Sequence, residues 1–462
     1  MSGTTPITYS SLVSIRGPLL LVEGVEGVGW DELAEIRADS GPVRHGVVLE
    51  VRGDVAVVQV FEGTSGLRLD EARVTFAGTP LRAPLGEGWL GRVCNGLGEP
   101  LDGGPPIFGE ELREVAGRPI NPARREAPSE SIVTGVSAID GLATLVRGQK
   151  LPIFSVGGLP HLELAAQVAA QARAGEGDEP FAVVFAAMGI THADAAMVRL
   201  VLEERLASGD LVLITNAADD PLVERIATPR IALSVAEYLA FDLGRHVLVV
   251  MADMTSYCEA VREVAAARGE VPSRRGYPGY LYSDLASLYE RAGRLEGRPG
   301  SVTQLPVLTM PAGDITHPVP DLTGYITEGQ LVLAEDLNVR GIYPPLDPLS
   351  SLSRLMRLGA GPGRTRDDHL AVAAQVYAAL AQARNAADLG EIVGADALSD
   401  RERGYLAFAD AFRERFLAQE RAEARTLAET LDRAWEVLSL LPRRELSMLS
   451  TELLDRHYRG GA

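Results

Sequence analysis

The 462-residue chain is 46% apolar and 23% charged, an ordinary soluble, globular balance with core enough for roughly two to four domains. Its formal net charge of −19 disfavours a nucleic-acid partner, because neutralising phosphates takes Lys and Arg. Lys150 is the only lysine and Leu151 follows it, so G-K-[ST] occurs nowhere and a working phosphate-binding P-loop is excluded.

Met1–Tyr9 lacks the basic and apolar regions of a secretory leader, and no apolar run approaches the roughly 18 residues of a membrane span. The chain therefore reads as cytosolic, reaching a membrane only through partners. Residues 1–76 are strand-like. Gly46–Val51 and Ala56–Phe61 flank the turn Arg52-Gly53-Asp54, a hairpin signature. With Leu19–Val22 and Arg73–Phe76 they predict a small antiparallel β-barrel. Gly91–Gly104 is dense in turn formers and reads as an ordered loop. Cys94 and Cys258 read as buried apolar residues, without a disulfide or metal framework.

From about residue 131 the rhythm changes. Apolar strands at Leu151–Phe154, Phe181–Phe185, Leu211–Ile214 and Val247–Met251 alternate with helical runs at Leu162–Arg173, His192–Ala207 and Ile231–Leu243. This is the βαβ pattern of a parallel sheet covered on both faces, with ligands beyond the carboxyl ends of its strands. After Gly363 the chain turns helical: Asp368–Asn385, a run opened by a Ser399/Glu402 capping box and reaching about Gln419, and Ala422–Leu441, stopped by Pro442. The expected domains are a barrel over 1–76, an α/β domain over 77–355 and a helical bundle over 356–462.

Ser155–Glu163 joins the first of these strands to its helix through Gly157 and Gly158, the layout of a phosphate loop. His161 and Leu162 stand where the phosphate-binding Lys and the Mg²⁺-binding hydroxyl belong, and Pro160 replaces the preceding Gly. Asp253 ends an apolar strand, the place of a Mg²⁺-holding acid. It also reads as the start of a helix that Ser256 and Glu259 would cap. In Pro344–Arg354, prolines and small hydroxyls stiffen the backbone ahead of a single Arg354, as a preorganised guanidinium requires. Arg274–Tyr282 mixes arginines and aromatics and reads as a packing or intersubunit surface. Tyr325 reads as core or turn packing, with base stacking the alternative.

Together, Gly91–Gly104, Leu151–Glu163, Asp253–Ala260, Arg274–Arg294, Thr316–Gln330 and Pro344–Arg354 carry a resemblance, nearly end to end, to the non-catalytic B subunit of archaeal/vacuolar-type rotary ATPases. The resemblance implies an N-terminal barrel, a RecA-like α/β core with a degenerate P-loop, and a C-terminal helical bundle. It implies an alternating hexameric ring with a catalytic A subunit, around a central rotor stalk and held by peripheral stalk subunits, on the cytoplasmic face of a membrane. The catalytic Glu of catalytic relatives falls at Ile190. Arg354, preceded by Ser353, falls at the position of the arginine finger acting in trans, and Tyr325 at an interface aromatic. No cofactor of its own is implied, since Mg-ATP or Mg-ADP at the interface would be bound mainly by the catalytic subunit. Val156 and Leu162 are more apolar than is usual in relatives, so the loop at Gly157, Gly158 and His161 is expected to bind nucleotide weakly or not at all. A scaffold subunit without a chemical role is the alternative. A catalytic ring motor lacks its P-loop here, and an RNA translocase lacks its basic channel.

Overall fold

The computed structural model describes residues 7–175 and 179–460, so Met1–Pro6 of the segment tested for a leader lies outside them. The N-terminal part is a seven-stranded antiparallel sheet. Its spatial order is Thr8–Tyr9, Arg73–Pro80, Glu32–Arg37, Arg44–Arg52, Val55–Val60, Leu19–Glu23, Leu12–Arg16. The two edge strands are joined by Ser10 and Ser11 alone, a reach of about 11 Å at most from Tyr9 to Leu12, so the sheet has to curl until its edges come close. Alternate residues fill its interior, among them Leu20, Val22, Ile36, Val48, Val58 and Val74.

The central sheet runs in the order Leu352–Ser353, Gly329–Val332, Ile153–Ser155, Ser301–Thr309, His246–Ala252, Phe181–Ile190, Leu211–Ala217, Val93–Asn95. All these neighbours are parallel except the antiparallel Gly329–Val332/Leu352–Ser353 pair. Its strands feed two cores by alternation. Val183, Phe185, Leu248 and Val250 face one; Val184, Ala186, Val247 and Val249 face the other. Helices Leu222–Glu237 and Met254–Ala267 cover the second face. Helix His161–Gln171 covers the first, and that core continues into the C-terminal helices through Val372, Phe408, Phe416 and Trp435.

Several boundaries differ from the sequence reading. Val93–Asn95, inside the expected loop, is the outermost strand of the central sheet, held there by Leu211–Ala217. Its turn closes on Asp102, whose carboxylate accepts from Arg92 Nε at 2.7 Å and Val93 N at 3.0 Å and is held well below the usual carboxylate range. The helical run expected over His192–Ala207 is two helices, His192–Val201 and Glu203–Ser208. The helix expected from Ile231 begins at Leu222 and carries Pro229 inside it. The bundle consists of His369–Val393, Asp400–Ala411 widening into Phe412–Leu417, Leu427–Leu438 and Thr451–His457. The Ser399/Glu402 capping box is present. A second one, Thr426/Glu429, starts the next helix five residues later than expected, because Thr426 satisfies the free amides that residue 422 could not. Among the described residues no helix is long and apolar enough to cross a membrane, and both cysteines are free and buried.

Candidate functional site

The loop after strand Ile153–Ser155 has the phosphate-loop path, but two of its main-chain donors are used within the loop. Gly158 takes φ +89°, the left-handed turn that glycine permits, and no neighbouring atom crowds Gly157 or Gly158. Leu159 N donates to Val156 O at 3.2 Å and His161 N to Leu159 O at 2.8 Å. Pro160, at the helix N-cap, has no N–H to give. His161 Nδ1 lies 2.9 Å from Leu159 O, so this nitrogen carries the proton and donates back into the loop. The cleft beyond, of about 460 Å³, is rimmed by His161, Glu163, Ile190, Asp194, Asp253 and Arg421. Three carboxylates face two basic side chains there, and Arg421 lies 3.5 Å from Glu163. These residues do not fit a Mg²⁺–triphosphate.

Asp253 behaves as a helix cap. Its Oδ1 accepts from Thr255 N at 2.6 Å, and its Oδ2 from Thr309 Oγ1 at 2.6 Å. Burial pushes its pKa up. The cap expected from Ser256 and Glu259 is not formed: both lie inside the helix Met254–Ala267, and Glu259 accepts from Tyr277 and Arg262. Ile190, at the end of its strand, is 7% exposed and belongs to the sheet core. An apolar side chain in that place offers no proton acceptor to a water.

Arg354 follows the edge strand Leu352–Ser353 directly and is exposed. Among the described residues its guanidinium has no hydrogen-bond or ion-pair partner, whereas the backbone leading to it is fastened at each step. Asp347 N donates to Val332 O at 2.9 Å, and Asp347 accepts from Ser350 Oγ and from Leu349 N at 3.0 Å. Ser351 Oγ accepts from Val332 N at 2.9 Å. Ser353 Oγ donates to Thr144 O and accepts from Gln149 Nε2, both at 2.9 Å. Arg354 N donates to Glu328 O at 3.0 Å. Gly329, opposite Ser353, takes φ +138°, and a Cβ there would lie 2.2 Å from Leu352 O, so glycine alone allows this pairing.

Gln149 and Glu328, which sequence reasoning did not single out, complete the brace. Gln149 Nε2 also donates to Glu328 O at 3.0 Å. Lys150, 3% exposed, places Nζ 2.7 Å from Glu290 and 2.9 Å from Glu328. The usable signal was Lys150 itself: a lone lysine just ahead of an apolar strand, which as a buried cation has to meet a carboxylate.

Tyr325, near the end of helix Pro318–Ile326, is 75% exposed. The packing role read from sequence is therefore wrong: its position on the helix points away from the core that takes Val319, Thr323 and Ile326. It lies three residues before Glu328, so Tyr325 and Arg354 flank the same connection. Arg274 and Arg275 are tied within the chain, to Asp321 at 2.7 Å and Asp314 at 2.6 Å.

A curled antiparallel sheet, a parallel α/β layer with a closed phosphate loop, and a helical bundle together define a class. The chain belongs to the ATP synthase alpha/beta family: residues 12–78 match the model of its beta-barrel domain and residues 135–353 that of its nucleotide-binding domain. Within that family it is of the V/A type, since residues 358–458 match the C-terminal domain of V and A type ATP synthase. It is similar to a solved structure described as that of a unique ATP synthase subunit NeqB from Nanoarcheaum equitans. The two are 37% identical, the match covers 92% of this chain and 100% of that one, and the TM-score is 0.72.

Proposed function

We propose that this chain is the non-catalytic subunit of a rotary V/A-type ATPase or ATP synthase, alternating with a catalytic A subunit in a hexameric ring and presenting Arg354 to the nucleotide bound by that neighbour. The observation that carries this reading is the contrast between the two ends of the sheet. The chain's own phosphate loop has no Lys, no hydroxyl at position 162 and the N–H groups of Leu159 and His161 turned inward, whereas Arg354 is exposed, unpaired among the described residues and held by a braced backbone. A guanidinium in fixed position stabilises charge developing on a transferring phosphoryl group without reorganisation during the reaction. Ser353 sets the height of the strand from which Arg354 projects, and Tyr325 borders the nucleotide at the same interface.

In this division Mg-ATP or Mg-ADP is held mainly by the catalytic subunit, and no cofactor belongs to this chain. Proton or sodium translocation runs through other subunits. The ring sits on the cytoplasmic face of its membrane, engaged by a central rotor stalk and by peripheral stalks, with no nucleic-acid partner and no membrane insertion of its own. The test is Arg354→Ala in a ring reconstituted with its catalytic partner. Hydrolysis is expected to fall by about 10³–10⁵, with assembly by native mass spectrometry intact. Near-normal turnover in an intact ring would reduce the chain to a scaffold.

A further inference from the structure

The strands Arg82–Leu85 and Glu111–Glu114 form a two-stranded antiparallel sheet of their own, and Glu111–Glu114 has no second strand beside it. Arg113 fixes this sheet to the protein: its guanidinium lies 5.8 Å from the Tyr238 ring and 3.0 Å from Asp242. The register sets Arg113 opposite Ala83, Leu112 opposite Pro84 and Glu114 opposite Arg82. Val115 N donates to Leu81 O at 3.1 Å, which fixes the phase of the ladder. Bonded pairs alternate along antiparallel strands, so Arg113 exchanges bonds with Ala83, whereas Leu112 and Glu114 exchange none with their opposite residues. Pro84, which has no N–H, sits at one of the unbonded pairs. The N–H and C=O groups of Leu112 and Glu114 therefore point away from the sheet, and among the described residues no other main-chain group takes them up. Leu112 itself is 65% exposed, an apolar side chain where a guarded edge carries a charge.

A groove of about 590 Å³ runs along this open side. It touches all four residues of Glu111–Glu114 but only Arg82 of the partner strand, and its other wall is drawn from the segment between Gly117 and Arg124. Ile120, Phe241 and Leu295 give it an apolar lining. Its carboxylates are occupied: Glu111 by Arg113 at 2.7 Å, Glu114 by Arg82 at 3.8 Å and Glu237 by Arg291 at 2.6 Å. Arg118 and Arg124 are exposed, and their guanidinium groups have no ion-pair or hydrogen-bond partner among the described residues. On a chain of net charge −19, the charges left unanswered in this groove are positive.

We propose that this groove is a docking site for an extended, acidic segment of a partner protein, which adds to Glu111–Glu114 as a third strand. The open edge sets the shape, because only an extended polypeptide presents N–H and C=O groups at the spacing of Leu112 and Glu114. The lining sets the alternation, with every second side chain apolar against Ile120, Phe241 and Leu295. Arg118 and Arg124 set the sign, since carboxylates on the segment give them charge-assisted hydrogen bonds.

The probe is the fluorophore-labelled peptide Glu-Val-Glu-Val-Glu, amidated at its C-terminus and titrated against the full-length chain by fluorescence anisotropy, with Lys-Val-Lys-Val-Lys as the charge-reversed control. Saturable binding of the acidic peptide is expected, at least ten-fold tighter than that of the control, and Arg118→Glu with Arg124→Glu is expected to weaken it about ten-fold. Hydrogen exchange locates the peptide: at saturation the amides of Leu112 and Glu114 should slow, while that of Arg113, already bonded to Ala83, keeps its rate. The proposal is overturned if the acidic peptide does not saturate, if the lysine peptide binds equally well, if the double variant keeps full affinity, or if Leu112 and Glu114 exchange at unchanged rates in the saturated wild type. Slowing of those two amides with rising concentration of the chain alone would make a second copy the occupant, and would overturn it too. The wild-type exchange and the two-peptide comparison decide the matter even where the double variant fails to fold.

Discussion

The ammonium of Lys150 lies 2.9 Å from the carboxylate of Glu328, and the carbonyl of that same Glu328 accepts the N–H of Arg354 at 3.0 Å. The single lysine of the chain is thus one residue removed from the backbone of the exposed guanidinium. Its charge is buried, so Glu328 cannot move without stranding it. Lys150→Met leaves Glu328 without its cation, while Glu290 keeps Arg125 at 3.1 Å, and is expected to destabilise the isolated chain by about 3 kcal/mol, the low end for a broken buried pair since both carboxylates are partly exposed. Urea unfolding measures this; an unchanged midpoint would show that the pair holds nothing.

Gly329→Ala puts a methyl into Leu352 O at a backbone angle that L residues avoid. The Gly329–Ser353 pairing is expected to open, at a cost of about 1–3 kcal/mol. The amide of Arg354 should then exchange with deuterium faster than in the parent, while amides of the Phe181–Ile190 strand keep their protection. In a reconstituted ring the same variant should lower turnover in the direction of Arg354→Ala. Equal exchange in parent and variant would contradict this account of how Arg354 is held.

Glu224 supplies a pH dependence. It is buried, accepts from Gly96 N at 2.9 Å, and burial, with Asp220 nearby, pushes its pKa up to about 7 from an ordinary 4.5. Between those values the unfolded chain has lost this proton and the folded chain keeps it. This group therefore costs stability progressively as pH rises from about 4.5 to about 7, and the loss is constant above that. Glu224→Gln keeps the acceptor for Gly96 and removes the titration. It should melt higher than the parent at pH 8, by about 1–2 kcal/mol of stability, and no higher at pH 4. Parallel melting curves for the two proteins across this range would rule the assignment out.

Nucleotide should ignore the closed loop. A fluorescent ATP analogue titrated into the isolated chain is expected to show no saturable binding in the micromolar range. Micromolar affinity displaced by ATP would mean that the loop opens in solution.

The three-part architecture was legible because periodicity survives tertiary context in the long elements. The parallel strands Phe181–Ile190 and His246–Ala252 are apolar on both faces, and the capping box at Ser399 announces its helix. The strand Ser301–Thr309 was missed although it lies inside the sheet between His246–Ala252 and Ile153–Ser155. Its Thr303, Gln304 and Pro306 argue against a central strand. They are tolerated because Thr303 Oγ1 accepts from Gly148 N at 2.8 Å and Gln304 Nε2 donates to Leu288 O at 3.0 Å, partners more than ten residues away in the chain. Tyr325 was misjudged for the opposite reason: an aromatic in an apolar helix looks buried until the helix's facing is known. At the candidate site, residue types revealed which reagents the loop lacks. They did not reveal the inward hydrogen bonds of Leu159 and His161, because a main chain's donors carry no mark in the sequence of side chains.

Those two inward bonds have a consequence for any attempt at conversion. Installing glycine, lysine and threonine at 160–162 would replace the absent reagents but leave the peptide groups of the turn engaged with one another. Making the turn a phosphate cradle therefore takes freeing the N–H groups of Leu159 and His161 as well as replacing three side chains.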